Sequence, residues 1–467
     1  MNLKKRVKAI ISGISTTVWC MILLFGSLTV SAQEPDSMLS LQQARQCAVR
    51  YNKTLMNARD NLRVSDERIK EVKAQGLPQV DGTLDFMTYF NYELELDFGM
   101  GSGSNPDINL LLLDDGDWEV LKMLGSSEPI VMSNQSSAKV QLSQLIFSGQ
   151  YLMGIQTAKI AKELSQQSMK RTEVEIIEGV TNSYYLILAT EHTLEIIDKT
   201  LENMNTTLQH TRNLYAAGVA EETDVDQIYS AVSQLTNSKK SLERVIRLNY
   251  NLLKFQLGVK PDQYIHLTDS LDQFINTVEL ESNLFAGYDI TGNIDYQLME
   301  TQVRLSEKQA DIAKWAYAPT IAGFYSYTEK ILTTGFDLTP KHVAGVNLSL
   351  PIFSSGMRKA KLSQAKIELD MAQRNQELVT EQLQLQEKQL LFNLQNALEN
   401  YYTQKENIGI AERLYLSIQN KYKQGLLSSL DLTQANTNYL NAETNYLNSV
   451  LTLLQAKLAL EKLYNTF

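Results

Sequence analysis

The sequence is short of the residues that interrupt or staple a chain. Eight prolines occur in 467 residues, at 35, 78, 106, 129, 261, 319, 340 and 351. None lies between Pro129 and Pro261, and none follows Pro351. Proline removes a backbone donor and clashes inside a helix, so these two long proline-free runs permit very long helices. With 22 glycines and two cysteines, collagen, low-complexity disorder and a disulfide scaffold are excluded. Cations are in the minority, 43 against 53 acidic residues, for a net charge of −10. That balance argues against nucleic acid as a partner, because phosphate neutralisation needs clustered Lys and Arg. Past the N-terminal segment there is no run of about 20 apolar residues, so no later helix is expected to cross a membrane.

That N-terminal segment reads as a cleaved export signal, residues 1–32. Lys4, Lys5, Arg6 and Lys8 form its cationic start, Ala9 to Val30 is uncharged and mostly apolar, and Val30-Ser31-Ala32 is a small-residue exit. Trp19 ahead of Cys20 is too bulky for a lipoprotein site. Cleavage removes four cations, takes the net charge to −14 and leaves Cys47 without an intrachain partner. Export without a helical anchor leaves the periplasm or an outer-membrane β-structure as destinations.

The rest of the chain is written twice. Asn52 to Pro78 has the pattern of Asn293 to Pro319, a helical run ending on Leu-Pro or Ala-Pro before alternation begins. Val140-Gln-Leu-Ser-Gln-Leu-Ile146-Phe147-Ser-Gly149 reads against Val346-Asn-Leu-Ser-Leu-Pro-Ile352-Phe353-Ser-Ser-Gly356. Tyr215-x-x-Gly218…Asp224-Val-x-Gln227 reads against Tyr422-x-x-Gly425…Asp431-Leu-x-Gln434. The offsets are 241, 206 and 207, so order is kept and one early loop differs in length. A unit of about 200 residues is too long for a solenoid repeat, so this is a duplicated half. The divisions expected are 33–258 for the first half, 259–292 for a link and 293–467 for the second half.

Each half has one rhythm. Ser40 and Gln43 form a capping box, and a helix is expected from there to about Gln75, stopped by Pro78. Alternation from Val80 to Phe98 then predicts a strand long enough to span a bilayer and project beyond it. From 81 to 135 there are eleven acidic residues against Lys122 alone. Their spacing misses the alternating ligands of a calcium loop, so a solvated loop is the simpler reading. A second strand is expected over Ala138–Ile146, ended by Gly149. A helix of roughly 100 Å follows from Gln150 to Ala216. Gly218 makes the turn, and Thr223 or Asp224 caps a return helix to about Leu257. The second half repeats this: a helix to Tyr317, a strand from Pro319, a loop around Gly335 to Pro340 and a strand Ala344–Ile352. A long helix Met357–Lys423, a turn at Gly425 and a return helix from Asp431 to near Tyr464 complete it.

The fold class expected is mainly α with membrane β. Four strands with one apolar and one polar face cannot close a barrel alone, and in a membrane closure is obligatory. Copies of the chain must complete it, eight strands in a dimer or twelve in a trimer, and only twelve leave a water-filled interior.

The order of elements and the quoted motifs resemble the TolC-like outer-membrane efflux and secretion channel family over essentially the whole mature chain. The resemblance implies a homotrimer with a twelve-strand outer-membrane barrel and a periplasmic α-barrel of long helical hairpins, in a Gram-negative cell. It implies a passive exit channel that needs no cofactor, docks on a periplasmic adaptor and an inner-membrane RND or ABC pump, and contacts outer-membrane lipid. It places the periplasmic entrance at Tyr215, Thr223, Asp224, Tyr422 and Asp431, the adaptor-docking turns at Gly218 and Gly425, and the helix-to-strand transitions at Pro78 and Pro319. Leu427 stands where some members carry a latching arginine, Gln434 where they carry a second acid, and Asn52-Lys53 and Asn293-Ile294 lack the family's Asn-Pro.

Two other readings compete. An enzyme would need a constellation, and His192, His210, His266 and His342 are scattered, with no phosphate loop or nucleophile elbow near them. A periplasmic coiled-coil rod or adaptor accounts for the helices and leaves the alternating strands without a use.

Overall fold

The computed structural model describes residues 38–88, 90, 92–94, 130–132, 134–275, 289–332 and 340–466. The expected export signal 1–32, the acidic stretch between 95 and 129 and residues 335–339 of the second loop lie outside the described residues.

After strand β1 (Met38–Leu39), Ser40 opens helix α1 (Leu41–Tyr51) with the expected box. Its Oγ accepts from the Gln43 N–H (3.3 Å), and Gln43 Oε1 accepts from the Ser40 N–H (2.8 Å). The helix does not run on to Gln75 in one piece. It breaks at Asn52, which ends α1 and opens α2 (Lys53–Ala74) from an extended backbone, φ −63° and ψ 125°. Asn52 Oδ1 accepts from the Thr54 and Leu55 N–H groups, satisfying two first-turn donors. A short amide that can bond its own backbone favours a cap over a helix interior, and it overrides the apolar periodicity here.

Strand β2 (Gln79–Met87) follows Pro78 directly. It ends at Met87, eleven residues before the expected Phe98; Phe90 takes a left-handed φ of 53° that breaks the pleat, and residues 95–98 lie outside the described residues. Beyond it β3 (Tyr92–Leu94) pairs only with β4 (Ile130–Met132), as a separate ribbon. Strand β5 (Gln135–Ser148) is longer than expected at both ends. Gly149 does not end it; it is the first residue of helix α3 (Gly149–Ala216), whose N-cap Ser148 accepts from the Tyr151 N–H. At 68 residues α3 is about 100 Å long. Helix α4 (Glu222–Leu257) returns, and in the link β6 (His266–Leu267) pairs in parallel with β1.

The second half has helix α5 (Ile294–Trp315), strands β7 (Thr320–Leu332) and β8 (His342–Ser349), and helices α6 (Met357–Lys423) and α7 (Ser429–Tyr464). Strand β8 ends three residues before Ile352, and α7 begins two residues before Asp431. The helix-to-strand junctions match position for position: Ala74 and Trp315 end helices, and Gln79 and Thr320 start strands after Pro78 and Pro319.

The shorter helices are spliced onto the return helices. Asn52 Nδ2 donates to the Gln256 carbonyl near the end of α4 (2.6 Å), and Asn293 Nδ2 donates to the Leu463 carbonyl near the end of α7 (2.9 Å). Each asparagine thus caps the N-terminus of one helix and bonds an orphan carbonyl at the C-terminus of another. Gly258, φ +74°, sits in the first splice so close to α1 that an added Cβ would lie 2.2 Å from the Tyr51 carbonyl oxygen. The wall of the protomer therefore runs α4 with α2, then α3, then α7 with α5, then α6. Helix α1 and the link pack on α3 and α4, where Asp269 Oδ2 accepts from the Leu41 N–H (2.7 Å) and lies 3.0 Å from the Tyr184 hydroxyl.

The four-stranded sheet has the order β2-β5-β7-β8, all antiparallel, with β2 and β8 unpaired on their outer sides. Register sets Gly82, Val140, Tyr327 and His342 in one row and Val80, Leu142, Tyr325 and Ala344 in the next. One face therefore exposes Val80, Leu84, Phe86, Val140, Leu142, Val346 and Leu348. The other carries Asp81, Thr83, Lys139, Gln141, Ser326, Thr328 and Asn347.

A left-handed residue with a Cβ is strained by roughly 1–2 kcal/mol. Gly258→Ala adds a collision with Tyr51 to that strain, whereas at Gly218 a Cβ meets nothing within 4 Å. The denaturant midpoint, followed by helical circular dichroism, is expected to fall further in Gly258→Ala than in Gly218→Ala; equal losses would contradict a rigid splice.

Candidate functional site

The two turns between long and return helices share one backbone. After α3, Gly218 adopts φ +72°, its N–H bonds the Tyr215 carbonyl and the Val219 N–H bonds the Leu214 carbonyl, both at 2.9 Å. After α6, Gly425 adopts φ +75°, its N–H bonds the Tyr422 carbonyl (2.9 Å) and the Leu426 N–H bonds the Lys421 carbonyl (3.0 Å). Both are Schellman closures, and glycine is there for the left-handed φ.

The return helices begin slightly earlier than the motif suggested. The N-cap of α4 is Glu221, neither Thr223 nor Asp224; Asp224 stands at the third helical position and its Oδ2 accepts from the Glu221 N–H (3.2 Å). Thr223 Oγ1 donates to Glu221 Oε2 (3.2 Å). The N-cap of α7 is Ser428, and Asp431 Oδ2 accepts from its hydroxyl (2.7 Å) and its N–H (3.0 Å). Those two bonds, the hydroxyl first, hold the Asp431 carboxyl below its ordinary value.

Two contacts join the turns. The buried Ser429 hydroxyl at the start of α7 donates to Asp224 Oδ1 (2.6 Å) and lies 2.6 Å from Gln227 Oε1 on α4. The buried Tyr422 hydroxyl at the end of α6 hydrogen-bonds Thr211 Oγ1 on α3 (2.7 Å). Burial, with the Asp224 charge added, pushes the Tyr422 phenol up. All four helices are thereby tied at one end, above a small apolar core that includes Met204, Leu208, Ile228, Val232, Tyr415 and Leu432.

Of the residues nominated from sequence, Asp224 and Tyr422 come together in this knot. Among the described residues Asp431 and Thr223 bond only within their own turns, and Tyr215 is 47% exposed. Ser429 and Thr211 carry no mark in the repeat: their positions in the other half are Glu222 and Ile418. Gln227 was visible as part of the repeated motif, without a role. Among the described residues no ion pair joins the turns; Leu427 is half-buried and Gln434 bonds Asn438 on its own helix. Hydrogen bonds join the turns, and Leu427 and Gln434, the departures from the family's latching arginine and second acid, take no part in them.

The chain matches the family model described as outer membrane efflux protein over residues 44–258 and 292–466. It is 24% identical over 305 residues to the probable efflux pump outer membrane protein TtgC of Pseudomonas putida, 64% of this chain and 62% of that protein. To the toxin and drug export protein A of Aggregatibacter actinomycetemcomitans it is 23% identical over 308 residues, 61% of this chain and 65% of that one. The matched stretch is thus under two thirds of the length of these relatives. Solved structures agree over more of the chain. The CusC channel superposes with a TM-score of 0.70 at 16% identity, covering 94% of this chain and 95% of CusC. The outer membrane protein VceC of Vibrio cholerae gives 0.66 at 15%, covering 91% and 95%. The open state of the MtrE outer membrane channel of Neisseria gonorrhoeae gives 0.66 at 16%, covering 93% of each. With the duplicated hairpins and the four-stranded sheet already in hand, these matches settle the lineage: this chain belongs to the outer membrane efflux protein family.

Proposed function

We propose that the chain is the outer-membrane exit channel of a tripartite efflux or type I secretion system, a passive conduit that catalyses nothing. The carrying observation is the sheet β2-β5-β7-β8, apolar on one face, polar on the other and open at both edges, continuous with helices about 100 Å long. Open edges inside hydrocarbon leave backbone groups unbonded, so β8 of one copy must meet β2 of the next. The wall has matching free flanks. Ile367, Met371, Leu378, Leu385 and Phe392 are exposed along α6, and Met56, Val64, Leu248, Leu252 and Phe255 along α2 and α4. Joining unlike flanks closes a ring, and three copies supply the twelve strands of a water-filled barrel. In this reading residues 1–32 are removed on export, 33–258 and 293–467 are the two halves, and 259–292 links them. The protein sits in the outer membrane of a Gram-negative cell, in contact with its lipid, and reaches into the periplasm.

The turns form the periplasmic entrance, and the knot of Ser429, Asp224, Tyr422 and Thr211 holds it shut. Tyr215, Thr223 and Asp431 line or shape the aperture. Three copies of Asp431 around one axis attract cations. The exposed turns at Gly218 and Gly425 are the seats for a periplasmic adaptor, which links the channel to an inner-membrane RND or ABC pump. A coiled-coil rod or adaptor leaves the two-faced sheet unexplained.

Heat-sensitive trimers in the outer-membrane fraction are expected, and a soluble periplasmic monomer would refute the channel. A neutral buried hydrogen bond contributes about 0.5–1.5 kcal/mol and one to a charged group about 1.5–3. Ser429→Ala should therefore raise single-channel open probability in planar bilayers about tenfold, and an unchanged value would exclude the knot as a gate. Asp431→Ala should weaken block by divalent cations. Because Ser428 holds that carboxyl low, the wild-type ring stays charged through the neutral range, and block should persist into acid beyond the point expected of an ordinary aspartate. Gly218→Val and Gly425→Val should assemble as trimers and lose crosslinking to the adaptor; normal efflux in either would contradict the docking role.

A further inference from the structure

Another polar contact joins the hairpins, about 20 Å along α7 from the turns. Glu443 of α7 is 9% exposed, packed where α7 meets α3 and α6. Among the described residues no hydrogen bond reaches its carboxylate, and the one ion-pairing group near it is His192 of α3, with Nε2 3.9 Å from Oε1. From sequence, His192 was one of four scattered histidines. Its side chain is 41% exposed, so it exchanges protons with solvent while facing a buried carboxylate.

The other charged and titratable groups around the pair do not neutralise Glu443. Glu412 of α6 sets a second negative charge against it, and burial followed by Glu412 holds the Glu443 carboxyl above its ordinary value. Tyr439 of α7, stacked on Tyr415 of α6 with ring centroids 5.4 Å apart, is pushed up to about 12 by burial and by the same two carboxylates. On α3, Glu195 feels the imidazole and pairs with Lys199 (2.8 Å). On α4, Lys239 pairs with Asp198 of α3 and Tyr250 donates to Glu191 of α3.

A buried carboxylate without a partner is costly, and a second one beside it adds repulsion. A glutamine or leucine at 443 would pack the same joint without that burden, so packing does not explain the glutamate. Protonating His192 does relieve it, and imidazole is the side chain that changes charge in the physiological range. We propose that His192 and Glu443 form a proton-operated clasp between the two hairpins: the protonated imidazole pairs with the carboxylate, draws α3 against α7 and keeps the tunnel end closed. With the imidazole neutral, the Glu443–Glu412 repulsion is uncompensated and the joint loosens. The clasp needs His192 protonated and Glu443 ionised together. Closure therefore weakens when the imidazole is neutral and again when the carboxylate is protonated.

The proposal rests on reading the turns as the gate, and the test separates the two. Full-length trimers carrying Cys47→Ser, with one protomer spin-labelled at Ala217→Cys and Gln424→Cys, report the distance between turns by pulsed electron resonance. The same trimers in planar bilayers report opening. Between pH 8 and pH 6 the turns should approach and open probability should fall by about fivefold or more, the range of ordinary coupling energies. Glu443→Gln and His192→Gln should each abolish both responses. A distance that ignores pH, or responds equally in both variants, overturns the clasp. A distance that responds in wild type and not in the variants, with conductance unaffected, keeps the clasp and removes the gate reading. If Glu443→Gln does not assemble, the half-exposed His192→Gln decides alone.

Discussion

Inside hydrocarbon a peptide group has no water to bond, and every N–H and C=O must find a partner in protein. A sheet that ends on β2 and β8 breaks this rule in one chain and obeys it in a ring. In the proposed ring, the exposed apolar flanks of α6 and of α2 with α4 and the open edges of the sheet are covered by the same closure. The helices inherit their parallel packing from the strands that feed them. Pro78 and Pro319 mark the points where the period changes from 3.6 to 2.

The two halves are alike in backbone and unlike in side chains, and the difference is where function concentrates. Both turns use the same glycine closure and the same aspartate at the third helical position. Yet Asp224 reaches across to Ser429, while Asp431 stays with Ser428. One repeat thus supplies a bond between hairpins, and its twin keeps its carboxylate within its own turn. A perfect duplication would have made both turns do the same thing.

Much of the architecture was legible because it rests on period, and period is local. Long helices, tight turns and strand faces follow from spacing along a few tens of residues. What escaped was of two kinds. Asn52 breaks a helix whose apolar rhythm runs straight through it, because a cap competes through a single side chain that periodicity averages away. Phe90 takes a left-handed backbone that an aromatic seldom adopts, so alternation ran on across a break between the strands at Met87 and Tyr92. The second kind is contact at a distance: Ser429 with Asp224, Thr211 with Tyr422 and His192 with Glu443 lie more than 200 positions apart. No repeat pairs them, since each contact joins non-equivalent positions of the two halves.

The splices at Asn52 and Asn293 make the tunnel wall mechanically composite. Helices α3 and α6 carry axial load through an unbroken ladder of backbone bonds, whereas the columns of α4 with α2 and α7 with α5 are butt-jointed by side-chain amides. A twist applied at the periplasmic end meets stiff and compliant staves in alternation. The first joint is braced by α1 and crowded at Gly258, and the second has a three-residue turn, Ile290–Gly292, before it. The first joint therefore has less room to bend than the second.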